Sequence, residues 1–176
     1  MPKILIISGP PGSGNSTVAQ LLGARTEQAV VIETDKFYQF LVHPIDPSTP
    51  EADTQNHAVL RAFLATAQSF SNDGYDVIVE GVIGPWWLDL IKTCLPDGFN
   101  YVLLHAALDV LSRRVSARNR ASAIHTRAEA VQIMHEKFDA LTGFDAHTIH
   151  TDDLTPGQIV EQITARRIAG ALRITG

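Results

Sequence analysis

The chain contains 176 residues, a length typical of one domain, and 45% of them are hydrophobic, which is enough to fill a single core. Its 14 lysine and arginine residues are outnumbered by 19 acidic ones, and the net charge of -5 argues against DNA or an acidic membrane as a partner. The single cysteine, Cys94, cannot form an internal disulfide and fits a reducing compartment. Neither a signal-peptide pattern nor an apolar run of the ~20 residues that span a bilayer is present, so we expect a cytoplasmic protein without a membrane partner.

Short apolar runs rich in β-branched residues alternate along the chain with stretches of helical spacing. The runs predict strands at residues 4–8, 30–33, 77–80, 101–106 and 148–150. The stretches predict helices at residues 16–25, 53–73, 85–94, 108–121, 126–142 and 155–171. This alternation is typical of an α/β fold, in which a parallel sheet carries helices on both faces, and we expect one domain over residues 1–176.

Capping patterns locate the start of two of these helices. Thr126 precedes Glu129 in capping-box spacing, and Thr155 precedes Gln158 in the same spacing, with Pro156 at the first helical position. We therefore expect helices to begin beside Thr126 and Thr155. The prolines at positions 44, 47 and 50 predict an irregular loop before the helix at residues 53–73.

The segment after the first strand, "GPPGSGNST", matches the mononucleotide-binding pattern G-x-x-x-x-G-K-[ST] except at one position. Gly9, Gly12 and Gly14 allow the sharp turns and the close main-chain approach that a phosphate cradle needs. The helix that follows directs its unpaired N–H groups and positive dipole end to the same place. Asn15 stands where the pattern has lysine, so the cradle is predicted without its usual charge.

Polar side chains at the ends of three predicted strands indicate one crevice. We expect the hydroxyl of Ser16 to bind Mg²⁺ and that of Thr17 to reach an α-phosphate. Asp35 follows the second strand, and Glu80 ends the third. Because the carboxyl ends of parallel strands share one edge of a sheet, these carboxylates should converge with the glycine-rich loop. A metal-binding hydroxyl, carboxylates and nearby arginines suit phosphoryl transfer.

The segments "GPPGSGNSTVAQLL", "VIETDKFY", "GYDVIVEG" and "RRVSARNR" occur in the order expected of the small P-loop kinases, and the chain resembles this family over nearly its whole length. The family includes adenylate, shikimate and gluconate kinases and the chloramphenicol phosphotransferase. The chain looks most similar to uncharacterised bacterial ATP-binding, kinase-like members of AAA type. The resemblance implies a three-layer fold with a five-stranded parallel sheet of order 2-3-1-4-5, a small lid at about residues 118–127, ATP and Mg²⁺ as cofactors, and γ-phosphoryl transfer to a small acceptor.

The resemblance also implies roles for individual residues. The implied cofactor-binding residues are Gly9, Pro10, Gly12, Ser13, Gly14, Asn15, Ser16, Thr17 and, in the lid, Arg120. Asp35 matches the residue that orients or deprotonates the acceptor hydroxyl, and Glu80 matches a carboxylate that helps Ser16 to hold Mg²⁺. Arg114 and Arg118 match the catalytic arginines at the base of the lid, where Arg127 is a further candidate. Simpler interpretations stay open: Asp35 as a helix cap, Glu80 as an exposed strand end, and the arginines as a solvated helix face.

An acceptor pocket is expected among residues 35–50, the helix after them and the segment "GVIGPWW". The residues there that can approach an acceptor, but can equally serve packing or solvation, are Gln55, Asn56, His57, Trp86 and Trp87. The histidines at positions 105, 135, 147 and 150 show no spacing typical of a metal site, and no zinc site is predicted.

Three explanations of Asn15 stay open. Lys36, Arg114 or Arg118 replaces the missing charge in an active kinase, or the protein binds nucleotide with little turnover, or Asn15 is an introduced, inactivating substitution. Removing one preorganised transition-state donor lowers a rate about 10²–10³-fold, so we expect impaired turnover unless another cation substitutes.

The sequence thus predicts an ATP-dependent kinase that phosphorylates a hydroxyl of a small molecule. The alternative is a non-catalytic nucleotide-binding or regulatory protein of the same fold. A polynucleotide end kinase is disfavoured by the acidic net charge, although one local basic patch would suit it. That patch comprises Arg113, Arg114, Arg118 and Arg120.

Overall fold

The computed structural model describes residues 2–121 and 127–175, and for residues 119–121 it describes the backbone alone. Its strands are β1 (Ile4–Ser8), β2 (Ala29–Glu33), β3 (Asp76–Gly81), β4 (Phe99–His105), β5 (Thr148–His150) and β6 (Arg173–Ile174). Its helices are α1 (Asn15–Ala24), α2 (Asp35–Tyr38), α3 (Asp53–Asn72), α4 (Leu88–Cys94), α5 (Leu108–Ala121), α6 (Ala128–Asp139) and α7 (Pro156–Ile168). Within the described ranges, none of the helices combines the length and the apolar character that a membrane span requires.

The strands form one sheet in the order β2-β3-β1-β4-β5, and each neighbouring pair in this order is parallel. The predicted strand order is therefore confirmed. The sheet also contains β6, which the sequence analysis missed because two residues carry no readable pattern. β6 pairs antiparallel with the start of β4, where Phe99 lies opposite Ile174. β5 pairs with the end of the same strand, from Leu103 to His105.

Both faces of the sheet are apolar, as the central strand β1 illustrates. All five of its residues are buried, and Ile4 and Ile6 contact one core while Leu5 and Ile7 contact the other. The first core includes side chains from α3, α4 and α6, and the second includes side chains from α1 and α7. Helices therefore cover both faces, as the alternating pattern predicts.

The two predicted helix starts have different outcomes. Thr155 caps α7: its side chain accepts a hydrogen bond from the Gln158 N–H, and the Gln158 side chain accepts one from the Thr155 N–H. This capping box is confirmed. The predicted cap Thr126 lies outside the described residues. α6 begins at Ala128 after Arg127, which has an extended backbone and makes no side-chain cap.

Two local features differ from the sequence prediction. α2 is a single turn directly after β2, too short to show helical periodicity in the sequence, and it carries Asp35 at its first position. The predicted helix at residues 85–94 is divided, because Pro85–Trp87 form a 3₁₀ turn with the proline at its start and α4 follows it. Both features lie at the carboxyl edge of the sheet, next to the predicted crevice.

Candidate active site

The loop between β1 and α1 has a conformation that requires glycine. Gly12 and Gly14 have φ angles of 91° and 106°, which residues with a side chain rarely adopt. Gly9 is required because β4 passes so close that a Cβ atom there would lie 2.1 Å from the carbonyl oxygen of Leu104. Gly14 is the N-cap of α1, so the unpaired N–H groups at the start of that helix adjoin the loop. The loop therefore has the form of an anion-binding cradle.

Asn15, which replaces the lysine of the motif, is bound within the loop. It is 9% exposed, and its side-chain nitrogen donates to the carbonyl oxygens of Gly9 at 3.2 Å and Gly81 at 3.4 Å. Its Oδ1 accepts a hydrogen bond from the hydroxyl of Ser13 at 3.0 Å. These contacts join the phosphate loop to the end of β3, but they bring no positive charge to the cleft.

Ser16, in the first turn of α1, and Glu80, near the end of β3, are in contact. The Ser16 hydroxyl donates to Glu80 Oε2 at 3.0 Å, and Glu80 is only 6% exposed. Burial raises the pKa of Glu80 to about 7, and the carboxylates of Asp35 and Glu33 act in the same direction. The Ser16 hydrogen bond and Arg118 oppose this rise. A cation beside Glu80 would favour its ionised form, so this hydroxyl and carboxylate fit a hard divalent cation such as Mg²⁺.

Asp35 lies at the start of α2, on the same edge of the sheet. Burial raises its pKa, Arg118 opposes the rise, and Glu33 adds to it. The next residue, Lys36, forms an exposed salt bridge with Glu33, with 2.9 Å between Nζ and Oε1. The ammonium group of Lys36 is therefore bound to Glu33, and Lys36 does not line the cleft that contains Asp35.

The two arginines of α5 both line that cleft, but they differ in their surroundings. The guanidinium of Arg114 donates to the carbonyl oxygen of Thr151 at 2.7 Å and to its hydroxyl at 3.1 Å. The Thr151 hydroxyl donates in turn to the carbonyl oxygen of Ser13 at 3.3 Å. Arg114 is thus linked to the phosphate loop through Thr151. Arg118 is exposed, and its charge acts on both Asp35 and Glu80.

A cleft of about 640 Å³ brings the predicted segments together. Predicted site residues that line it are Gly12, Ser13, Gly14, Asn15, Ser16, Thr17, Asp35, Glu80, Arg114 and Arg118. Gly9 and Pro10 belong to the loop without lining the cleft. The side chain of Arg120 lies outside the described residues, as does most of the predicted lid, and Arg127 is the exposed residue before α6.

The polar residues at the start of α3 organise the neighbouring proline-rich loop. Gln55 bonds both the N–H and the carbonyl oxygen of Ile45, at 2.8 Å each. Asn56 donates to the carbonyl oxygen of Pro47 at 2.9 Å and accepts from the hydroxyl of Tyr38 at 3.1 Å. These contacts give both side chains a structural role in shaping the segment expected to face an acceptor.

The adjacent tryptophans pack in two directions. Trp87 lies against the ring of His57, with ring centroids 4.9 Å apart, and it also contacts the core. Trp86 packs against Phe138 of α6, and the ammonium group of Lys137 lies 3.8 Å from the centre of its ring. Trp86 remains 37% exposed, so part of its ring lies on the surface of the segment that follows β3.

Other residues of the cleft were missed by sequence reasoning. Leu154, Pro156 and Ile159 line it, and Thr151 accepts two hydrogen bonds from Arg114. Thr151 directly follows β5, so the rule applied to Asp35 and Glu80 could have identified it. The predicted strand at residues 148–150 was too weak a signal for that step.

The fold and the cleft define the class of the protein. A glycine-rich loop between the first strand and first helix, at the centre of a parallel sheet of order β2-β3-β1-β4-β5, is the arrangement of the P-loop kinases. The family model described as an AAA domain matches residues 5–135. The chain belongs to this family.

Individual relatives extend the comparison to nearly the full chain. A cytidylate kinase of Sulfurisphaera tokodaii is 26% identical over 175 residues, covering 92% of this chain and 93% of the relative. A sugar kinase structure from Janibacter has a TM-score of 0.72 with 21% identity and covers 96% of both chains. A gluconokinase structure from Sinorhizobium meliloti has a TM-score of 0.69 with 20% identity and covers 97% of this chain and 94% of the other. The chain shares the fold of these kinases.

Proposed function

We propose that the protein is a phosphotransferase that uses ATP and Mg²⁺ to phosphorylate a hydroxyl group of a small molecule. The observation that carries this proposal is the convergence of Ser16, Glu80, Asp35 and Arg118 with the phosphate loop in one cleft. Phosphoryl transfer needs a cradle for the phosphates, ligands for a divalent cation, a group that orients the acceptor and positive charge for the transition state. Each requirement has a candidate here, and we expect the protein to act in the cytoplasm.

The phosphate loop and the start of α1 would bind the β- and γ-phosphates of ATP through main-chain N–H groups. Ser16 and Glu80 would hold Mg²⁺, which supplies charge neutralisation to the phosphates when bound. The Ser16 hydroxyl oxygen and Glu80 Oε2 lie 3.0 Å apart, so the two oxygens are close enough to share one cation. This preorganisation supports the assignment of the pair as cation ligands.

Asp35 would orient the acceptor hydroxyl and accept its proton. A general base works best when its pKa approaches the working pH, and burial raises the pKa of this carboxyl. The positive charge of Arg118 limits the rise in the pKa of Asp35, and it would stabilise negative charge on the transferring phosphoryl group. The two residues therefore support a shared role on the acceptor side of the cleft.

Among the cations considered for the lysine's role, we favour Arg118, because its charge acts on both Asp35 and Glu80. Lys36 forms a salt bridge with Glu33 and does not line the cleft. Arg118 lines the cleft and lies on an exposed part of α5. A guanidinium can contact a phosphoryl group through two hydrogen bonds, which suits it to replace a lysine point charge.

The acceptor would bind between the α2–α3 segment and the residues after β3. Large apolar side chains are exposed in the first segment, where Phe40 is 75% and Val42 85% exposed. Val82 and Trp86 are partly exposed in the second. These surfaces suit a compound with an apolar part besides its hydroxyl group. The relatives are named as kinases of different compounds, which supports a small-molecule acceptor in general.

The test is phosphoryl transfer by purified protein supplied with Mg·ATP and a panel of hydroxyl compounds. We expect acceptor-dependent formation of ADP that is lost in Asp35→Ala. The matched control is Asp97→Ala, which removes an exposed carboxylate from the loop before β4 at the opposite end of the sheet. Equal transfer by Asp35→Ala and Asp97→Ala would exclude Asp35 as the acceptor-binding group.

The environment of Asn15 favours one alternative, a non-catalytic nucleotide-binding protein of the same fold. Its amide is fully engaged with Gly9, Ser13 and Gly81 and provides hydrogen bonds without charge. In that case ATP would bind tightly, no acceptor would be phosphorylated, and Asn15→Lys would not restore transfer. Calorimetric titration with ATP, run beside the transfer assay, separates this alternative from the kinase.

A further inference from the structure

A group of ionisable side chains lies outside the candidate active site, where α6 approaches the ends of β4 and β5. His105 ends β4 and His150 ends β5, and the two are register partners, so their rings project from the same face of the sheet. His135 and Asp139 are four residues apart on α6 and therefore share one face of the helix. The ring centroids of His105 and His135 are 5.1 Å apart, and those of His105 and His150 are 5.9 Å apart.

Three of these residues form a compact set of ligands. One nitrogen from each of His105 and His135 and one carboxylate oxygen of Asp139 all lie within 4.8 Å of one another. The ligand atoms of a tetrahedral Zn²⁺ site, with bonds of ~2.0–2.1 Å, are roughly 3.4 Å apart. The side chains would have to close by about 1.4 Å at most to reach these separations. His135 is partly buried and Asp139 is exposed, so both have room for this adjustment.

His105 gives an independent indication of a ligand. It is 9% exposed, and its Nε2 atom is buried without a hydrogen-bond partner in the described part of the chain. A buried polar atom without a partner is unfavourable, and a bound ion would satisfy it. Burial lowers the pKa of His105, and His135 adds to this effect, whereas Asp139 opposes it.

We propose that His105, His135 and Asp139 bind a divalent transition-metal ion of the Zn²⁺ type, with water or His150 in the remaining position. Two imidazoles and one carboxylate suit Zn²⁺, whereas Mg²⁺ prefers oxygen ligands. None of the three residues lines the cleft that contains Ser16 and Glu80, so this ion would be additional to the Mg²⁺ of the proposed kinase. The bound ion would link α6, through His135 and Asp139, to the end of β4 at His105.

The test is metal binding by the full chain, purified without a histidine tag, treated with a chelator and kept in excess Mg²⁺ so that oxygen-ligand sites are filled. Co²⁺ is the probe, because its visible absorption reports tetrahedral coordination, and Zn²⁺ is then added as competitor. We expect one saturable site per chain that Zn²⁺ displaces. Binding should weaken about tenfold or more in both His135→Ala and Asp139→Ala, since each removes one of three protein ligands.

Two control variants separate loss of this site from a general loss of histidine or of charge. His43→Ala removes an exposed histidine far along the chain from the cluster, and Glu136→Gln neutralises an exposed carboxylate on α6 itself. Both should bind Co²⁺ as the wild type does. Circular dichroism is recorded for all four variants to check that each is folded.

Thermal unfolding provides a second measurement of metal binding at the same site. Saturating Zn²⁺ should raise the melting temperature of the wild type and leave that of His135→Ala nearly unchanged, because an ion that binds the folded state stabilises it. Non-saturable Co²⁺ binding by the wild type, or wild-type affinity in both His135→Ala and Asp139→Ala, would overturn the proposal. An equal rise in melting temperature for the wild type and His135→Ala would also overturn it.

Discussion

Replacing Glu80 by glutamine should stabilise the protein in the absence of Mg²⁺ and nucleotide, and only above a definite pH. The pKa of this buried carboxyl is about 7 in the folded protein, against an ordinary value of 4.5. Folding therefore favours its protonated form. The stability that it contributes is fully present below pH 4.5 and is lost as the pH rises through about 7.

The size of the effect follows from the two pKa values. Each pH unit between them changes the free energy of unfolding by 1.36 kcal/mol at most, so ionising Glu80 should cost about 3 kcal/mol in total. Glu80→Gln keeps an oxygen that can accept the Ser16 hydrogen bond but does not ionise. The variant should thus equal the wild type near pH 4.5 and exceed it by about 3 kcal/mol above pH 8.

The assay is urea unfolding at a series of pH values, followed by circular dichroism in the presence of a chelator. Glu161→Gln, which changes an exposed carboxylate on α7, is the matched control and should follow the wild type throughout. Adding Mg²⁺ should reduce the advantage of Glu80→Gln, since a cation favours the ionised glutamate. A variant that is less stable than the wild type at pH 8, or a difference that does not change with pH, would show that folding does not raise the pKa of Glu80.

Three further predictions test separate parts of the structure. Gly9→Ala should lower the free energy of unfolding by at least ~2 kcal/mol in a urea titration, because its Cβ would lie 2.1 Å from the Leu104 carbonyl oxygen; a neutral result would contradict the close approach of β4. Arg118→Ala should lower kcat/KM about 10²–10³-fold while Lys36→Ala changes it only a few-fold, and the reverse order in steady-state assays would assign the lysine's role to Lys36. Thr155→Ala should lose ~1 kcal/mol of stability in a thermal melt, and an unchanged melting temperature would argue against the capping box.

Most of the fold could be predicted because its signals are local. The three central strands β1, β3 and β4 are buried over nearly their whole length and appear in the sequence as largely apolar runs, and the bounds predicted for β1 and β5 agree with the structure. The Thr155 capping box is a four-residue pattern that determines its own conformation. α2 and β6 could not be predicted, because elements of two to four residues show no periodicity, and β6 also depends on its pairing with β4, which is distant in the sequence.

The candidate site likewise has features that the sequence predicts and features that depend on the tertiary fold. The convergence of Asp35 and Glu80 on the phosphate loop could be predicted, because each directly follows or ends a strand at one edge of the sheet. The salt bridge of Lys36 with Glu33 could not, because it depends on the side-chain rotamers beside β2. The cluster of His105, His135 and Asp139 was missed for another reason: its members come from two elements that only the tertiary fold brings together.

We propose that the cleft transfers a phosphoryl group although Asn15 replaces the lysine. The most direct measurement supplies ATP labelled in the γ-phosphate, with Mg²⁺ and the acceptor panel, to the wild type and to Asn15→Lys. We expect the label to appear on an acceptor hydroxyl with the wild type, and to appear faster with Asn15→Lys because a charge is restored beside the phosphates. Tight ATP binding by both proteins, with no labelled acceptor from either, would exclude phosphoryl transfer to these acceptors and favour the non-catalytic alternative.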